Sequence, residues 1–249
     1  MFKKPLIIIL IILLALYPIK ISKVNTNERI GIYYHPIWDA EVMPNNETLA
    51  KIKLWDDFNR YAQLGIQDVY FLALSCSATT YNSEISELYN VFDFDLLNLT
   101  CQIAQMFNIS IHAWLDIRTD NPNWKTKSIN GEISPLPNFA IPEFRQWVCN
   151  VISEIIHKYP VKGIHLDYVQ YSSPDYSYDD YSLSAFYSET GINASENPNH
   201  PLWATWREEQ IYKFMNECKI TIKSYNLNLE FSSTILAPLE DALKYYEMV

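Results

Sequence analysis

Two segments of the chain place groups able to do acid, base or nucleophilic work in a strictly alternating pattern. In Gly163-Ile164-His165-Leu166-Asp167-Tyr168 an extended backbone turns Ile164 and Leu166 to one side and His165 and Asp167 to the other. His112-Ala113-Trp114-Leu115-Asp116 repeats the arrangement, with Ile111, Ala113 and Leu115 on one face and His112, Trp114 and Asp116 opposite. A strand buried in a parallel sheet normally reads apolar on both faces, so a polar face marks a place where the chain needs polar groups inside. Asp167 is the first candidate for a catalytic carboxylate, as nucleophile or general acid, and Asp116 is the second. The two histidines lie deeper and read as hydrogen-bonded core groups beside the site. His112, Asp116, His165 and Asp167 lack HxxxH or HExxH spacing, so no metal is assigned to them.

The elements that position these residues follow from periodicity. Strands are expected over Ile30–Tyr34, Asp68–Leu74, Ile109–Asp116, Val161–Val169 and Leu229–Ile235. Helices are expected over Leu49–Leu64 (stopped by Gly65), Asp95–Phe107 (Asp95 as N-cap), Pro142 to the residue before Pro160, Ser182–Thr190 (ended by Gly191) and Leu202–Ser224. Strands alternating with helices imply parallel βαβ units, and the natural closed form is an α/β (β/α)8 TIM barrel. About five βα units fit in this chain where eight are needed, which predicts an incomplete barrel with a sheet open after the fifth strand, or else a smaller open α/β sheet. Barrel sites lie at the C-terminal strand ends, where Asp116 and Asp167 fall. Asp167 is accordingly expected in the largest pocket, with Asp116 or His112 within side-chain reach.

Composition narrows the partners. Lys and Arg number 19 against 29 Asp and Glu, and four of the lysines (Lys3, Lys4, Lys20, Lys23) precede residue 24. The remainder is strongly acidic, which disfavours nucleic acid and anionic lipid surfaces. The five glycines are scattered, so no loop exists to cradle a dinucleotide or nucleoside phosphate, and no cofactor is expected. Tyr, Phe and Trp make up 14% of the chain, rings that serve as platforms for sugar faces as well as for a core. Residues 1–23 read as a signal peptide or an N-terminal membrane anchor: Met1-Phe2-Lys3-Lys4 is basic and Leu6 to Tyr17 is unbroken apolar, with no small-x-small cleavage site after it. An exported, outward-facing protein is the expectation, with residues 24–249 as its folded domain. Cys76, Cys101, Cys149 and Cys218 show no CxxC or zinc spacing and are compatible with bridges or with buried thiols.

The run from Gly163 to Tyr171 (Gly-Ile-His-Leu-Asp-Tyr-Val-Gln-Tyr), together with His112 to Asp116 and Asn138-Phe139-Ala140-Ile141-Pro142-Glu143-Phe144-Arg145, resembles the family-10-like glycosyl hydrolase domain. Glu189-Thr190-Gly191 and Trp203-x-x-Trp206-Arg207-x-x-Gln210-Ile211 fit the same family. The resemblance runs from about Arg29 onward and is most specific at the fourth strand. It implies an eight-stranded barrel acting on extracellular or cell-wall polysaccharide, with Asp167 matching the family's catalytic carboxylate. In the family's DYVRY run this chain has Gln170 in place of Arg, which removes a permanent cation beside Asp167. A partner carboxylate is expected on a later strand, in a C-terminal part of the barrel that this sequence lacks; Glu230 begins the fifth strand and so lies at the wrong end.

The leading functional expectation is a glycoside hydrolase with Asp167 and Asp116 as its carboxylates and Tyr33, His35, Trp38, His112, Trp114, His165, Tyr168, Gln170 and Tyr171 binding a polysaccharide or oligosaccharide. The second is a glycan-binding or scaffold remnant that keeps the aromatic cleft without the acid and base. The third is a metal-dependent polysaccharide deacetylase-like hydrolase.

Overall fold

The structure, a computed structural model, describes residues 29–38 and 40–234. Five strands form the main parallel sheet: β1 (Gly31–Tyr34), β2 (Asp68–Ser75), β5 (Ser110–Asp116), β8 (Gly163–Asp167) and β9 (Glu230–Ser233). They pair in chain order, β1 with β2, β2 with β5, β5 with β8 and β8 with β9, every pair parallel. The crossovers carry α1 (Glu47–Gln63), α2 (Leu96–Met106), α3 (Pro142–Lys158), and then α4 (Asp180–Thr190) with α5 (Pro201–Tyr225). Among the described residues the two outer strands, β1 and β9, do not pair with each other, so the sheet curls as an open α/β barrel segment. Two short strands, β3 (Ala78–Thr79) and β4 (Tyr89–Asn90), extend β2, and a separate hairpin of β6 (Lys125–Lys127) and β7 (Ile133–Pro137) is inserted after β5.

Local chemistry explains the helix limits. Asn46 and Asp95 accept from the backbone of Leu49 and Asn98 to cap α1 and α2. At the end of α1, Gly65 adopts φ +76° while its N–H bonds to Ala62 and that of Ile66 to Tyr61, a Schellman closure. Asn108 does the same for α2 at φ +55°. Gly191 ends α4 at φ +74°, where a Cβ would be strained although it would meet nothing within 4 Å.

The helices close over the outer face of the sheet, where Val69, Phe71, Ile111, Ala113, Leu115, Ile164 and Leu166 are buried. Burial of this layer stabilises the fold by roughly 25 cal/mol per Å² of apolar surface removed from water. Asn138, Pro142 and Arg145 of the family-like run build this scaffold and not the site. Asn138 donates to Asp179 and Ser182, and Asp179, itself buried, caps α4 through the Ser182 N–H. Arg145 donates to the Phe139 and Ala140 carbonyls and to Glu217 on α5.

The membrane expectation is corrected. Among the described residues no helix is long and apolar enough to cross a membrane, and residues 1–23, on which the signal peptide or anchor reading rests, lie outside the described residues. Anchoring and an exported, outward-facing location therefore rest on no observed feature and are withdrawn. All four cysteines are thiols.

Candidate active site

The inner face of the sheet is polar because the strands run in register. One layer holds Tyr33, Tyr70, His112, Gly163 and Glu230; the next holds Leu72, Trp114, His165 and Ser232. At the C-terminal rim Asp116 is the register partner of Asp167, and a bulge between Leu72 and Leu74 brings Ser75 opposite Asp116. The two aspartates thus stand on neighbouring strands at the end where barrel sites are built.

Asp167 is half-buried and held from three sides. Trp114 Nε1 donates to its Oδ2 at 3.1 Å, while the Tyr168 N–H at 2.9 Å and Thr234 Oγ1 at 2.6 Å donate to Oδ1. Oδ1 is clamped by two donors and Oδ2 has the single indole contact, so the carboxylate's orientation is fixed by β5, β8 and the end of β9. The turn that supplies the Tyr168 N–H puts this tyrosine at φ +65°, an uncommon left-handed conformation for a bulky residue.

Asp116 is 4% exposed and fully engaged. The Arg118 guanidinium bridges both its oxygens, with Nε at 2.9 Å from Oδ1, and Ser75 Oγ donates to Oδ2 at 2.8 Å. The same guanidinium lies 4.5 Å from the centroid of the Tyr168 ring, a cation–π contact that couples the two strand ends. Donation to the Asp116 carboxylate, the largest cause, holds the Arg118 guanidinium above its usual pKa.

Beside the carboxylates stands an aromatic wall. Tyr33 packs edge-on to Trp114 with centroids 5.1 Å apart, and Tyr70 stacks on His112 at 4.8 Å. His35 and Trp38 stack almost parallel at 4.4 Å, and Trp38 is 77% exposed. A cavity of about 170 Å³ opens next to them, lined by His35, Trp38, Leu72, Leu74, Ser75 and Thr80 among others. A larger one, about 470 Å³, is bordered by Asp175, Tyr178, His200 and Arg207. Asp167 borders neither of these two cavities.

His165 is tied into the wall. Its Nε2 is 2.9 Å from the Tyr33 phenol and its Nδ1 is 2.8 Å from Ser232 Oγ, contacts that a neutral imidazole satisfies as one acceptor and one donor. Burial pulls the imidazole down to about 4; Asp167 opposes this and His112 adds to it. Burial, and then the Asp167 charge, raise the Tyr33 phenol, which keeps its proton for the bond to His165. Between pH 6.5 and 4 the unfolded chain therefore binds a proton at His165 that the folded chain does not, so stability falls as pH is lowered through that window. Denaturant midpoints at pH 7 and pH 5 should differ less in His165→Gln than in the parent chain. An unchanged difference would show that His165 is already charged when folded.

Several expected binding residues lie elsewhere. Tyr171 is fully buried and packed edge-on against Phe139, away from the site, and Gln170 is 7% exposed. The chain leaves the strand direction at Tyr168, where φ is +65°, and the alternation that would have carried Tyr171 onto the face of His165 and Asp167 ends there. His112 is buried as well, its Nε2 3.0 Å from Asp68 and 3.9 Å from Glu230. Among the described residues no three His, Cys, Asp or Glu side chains converge as metal ligands. Tyr70, Ser75, Arg118, Ser232 and Thr234 belong to the site and were not anticipated; of these, Tyr70 lies on the Asp68–Tyr70 face of an alternating strand and could have been found by the reasoning applied to β5 and β8.

The open parallel sheet with helices on its outer face is an α/β fold related to TIM-barrel glycosidase folds, as comparison with solved structures shows. The chain superposes on an α-L-fucosidase isoenzyme 2 from Paenibacillus thiaminolyticus with a TM-score of 0.66 at 13% identity, covering 83% of this chain and 32% of that one. It superposes on the glycoside hydrolase domain of PgaB (BpsB) from Bordetella bronchiseptica with a TM-score of 0.65 at 14% identity, covering 89% and 69%. Residues 31–241 match the family model described as glycosyl hydrolase-like 10, and the chain belongs to that family. It is 22% identical over 208 residues to the glycosyl hydrolase DigH of Escherichia coli (strain K12), covering 71% of this chain and 45% of that protein. The chain thus spans less than half the length of that relative.

Proposed function

We propose that this chain carries the substrate-binding face and one reacting carboxylate of a glycoside hydrolase acting on a polysaccharide or oligosaccharide, with Asp167 at the anomeric centre. The observation that carries this reading is the fixing of Asp167 by three donors from different elements, at the strand-end rim, under exposed rings. A carboxylate held so is oriented for attack on, or charge stabilisation at, an oxocarbenium-like centre, and no reorganisation is needed when the charge develops. Asp116 and Asp167 are register partners on neighbouring parallel strands, whose backbones lie ~4.8 Å apart. Every contact to Asp116 donates to it, which suits a fixed negative charge beside Asp167 better than a proton donor. Tyr33, Trp114, His35 and Trp38 offer ring faces and polar edges to sugar rings.

Hydrolysis and binding should be measured side by side on a panel of soluble polysaccharides. Release of reducing ends together with retention on the same polymer is the expected result. Retention without release, persisting when the full set of polymers is tested, would favour the glycan-binding reading, for which the exposed Trp38 and Tyr33 are the specific support.

A further inference from the structure

Three side chains from three strands are joined across the inner face of the sheet. Ser232 on β9 is the register partner of His165 on β8, and its Oγ lies 2.8 Å from His165 Nδ1. His165 Nε2 lies 2.9 Å from the hydroxyl of Tyr33, which reaches it from β1. The imidazole is gripped between rings, edge-on to Tyr33 at 5.4 Å and to Tyr70 at 4.9 Å between centroids. Turning it over would put a carbon in place of each nitrogen and lose both bonds, so the ring has one orientation. His165 is 4% exposed and Tyr33 is 45% exposed, so the relay runs from the interior to a hydroxyl that a ligand can reach.

A neutral imidazole can meet two hydroxyls in two ways. Either Tyr33 donates to Nε2 while Nδ1–H donates to Ser232, or Ser232 donates to Nδ1 while Nε2–H donates to Tyr33. A phenol is a far stronger acid than an aliphatic hydroxyl and so the better donor to a bare ring nitrogen, which favours the first arrangement. We infer that His165 is held as the Nδ1–H tautomer and thereby makes the Tyr33 oxygen a pure acceptor, which selects ligands by a donated hydroxyl proton. The inference rests on the reading of this face as sugar-binding. With its proton committed inward, Tyr33 has only lone pairs to offer. Trp114 links it to the reacting centre, because Tyr33 packs edge-on to the indole whose N–H donates to Asp167. The Asp167 carboxylate likewise only accepts. The ligand that fits such a pair is a sugar with a free hydroxyl at this position; an O-methyl ether or a deoxy sugar there leaves the Tyr33 oxygen unpaired. Tyr33 is thus a specificity-determining residue and not the proton donor to a departing sugar, while His165 and Ser232 position it.

The test has two arms. In the first, the full chain carries isotopically labelled histidine, and the ring nitrogens are correlated with the ring protons by NMR at pH 7. The His165 signals are identified by their loss in His165→Gln and by the displacement of Nε2 in Tyr33→Phe. A protonated Nδ1 with a bare Nε2 is expected; a protonated Nε2 or an imidazolium would overturn the inference. The spectrum is read on the parent chain and needs no turnover. In the second arm, retention of soluble xylan, β-glucan and dextran is compared with that of the same polymers after O-methylation. Tyr33→Phe should bind the retained native polymer about fivefold more weakly and narrow its advantage over the methylated form. Ser232→Ala should mix the tautomers and bring part of that loss, and Ser232→Thr, which keeps the hydroxyl, should restore both. An equal advantage in the parent and in Tyr33→Phe would overturn the acceptor role. Retention of none of the native polymers would instead overturn the sugar-binding reading, and the selectivity of Tyr33 with it, while the tautomer would still be read from the first arm.

Discussion

Asp167→Asn should lower kcat by ~10³-fold or more on any polymer the protein hydrolyses, with little change in retention of that polymer. The exchange is nearly isosteric. Asn keeps one oxygen to accept from the Tyr168 N–H and Thr234 Oγ1, but its amide then faces the Trp114 indole N–H, donor against donor. Losing that one bond costs about 1 kcal/mol, which a small drop in melting temperature would register without loss of the fold. Trp114→Phe provides the complement, because it removes the indole donor and leaves the carboxylate. It should fall between parent and Asp167→Asn in rate. If Asp167→Asn turned over at the parental rate, the reacting group would have to be sought elsewhere on the rim.

The second large effect is one of stability, at Gly163. A Cβ there would lie 2.5 Å from the Glu230 carbonyl oxygen and 2.9 Å from its Cβ, on the adjoining strand. Backbone cannot swing aside as a side chain can, so Gly163→Ala must push β9 away from β8 and weaken their ladder. A loss of roughly 3 kcal/mol or more is expected, in the range of other overpacking changes. Gly65→Ala provides the contrast. Nothing lies within 4 Å of that site, and only the left-handed φ of +76° is disturbed, at about 1 kcal/mol. Urea midpoints of the two variants should therefore separate clearly, and similar values would mean that β9 yields to the added carbon. Because β9 also delivers Thr234 to Asp167, Gly163→Ala should lower turnover as well.

Much of this architecture is legible in the sequence. Alternation located all five parallel strands to within a residue or two at most ends, since β-branched and aromatic runs bounded by polar stretches have few other uses. Gly65, Asp95 and Gly191 marked helix ends correctly because the αL and N-cap positions admit so few residue types. The hairpin β6–β7 was missed, although Asn130-Gly131 is a strong turn signal and Gly131 does adopt φ +85°. The rest of the site was less accessible, for physical reasons. Thr234 reaches Asp167 across 67 positions only through the β8–β9 register, and Ser75 meets Asp116 only because β2 bulges. Tyr171 was expected at the subsites, but the left-handed turn at Tyr168 ends the alternation that would carry it onto the face of Asp167, and it packs against Phe139 instead.

That turn has a bearing on engineering. Tyr168 at φ +65° and Cys76 at φ +53° each follow a strand that ends in a rim residue, Asp167 in one case and Ser75 in the other. A non-glycine residue held left-handed costs on the order of 1 kcal/mol, so glycine at either place would relax the backbone. Laboratory evolution guided by thermal tolerance alone would find such relief attractive. At Tyr168 the gain would be set against loss of the ring that Arg118 covers. Heat resistance and the set of the two aspartates are thus antagonistic traits in this chain, and a selection scheme that reads only the first would erode the second.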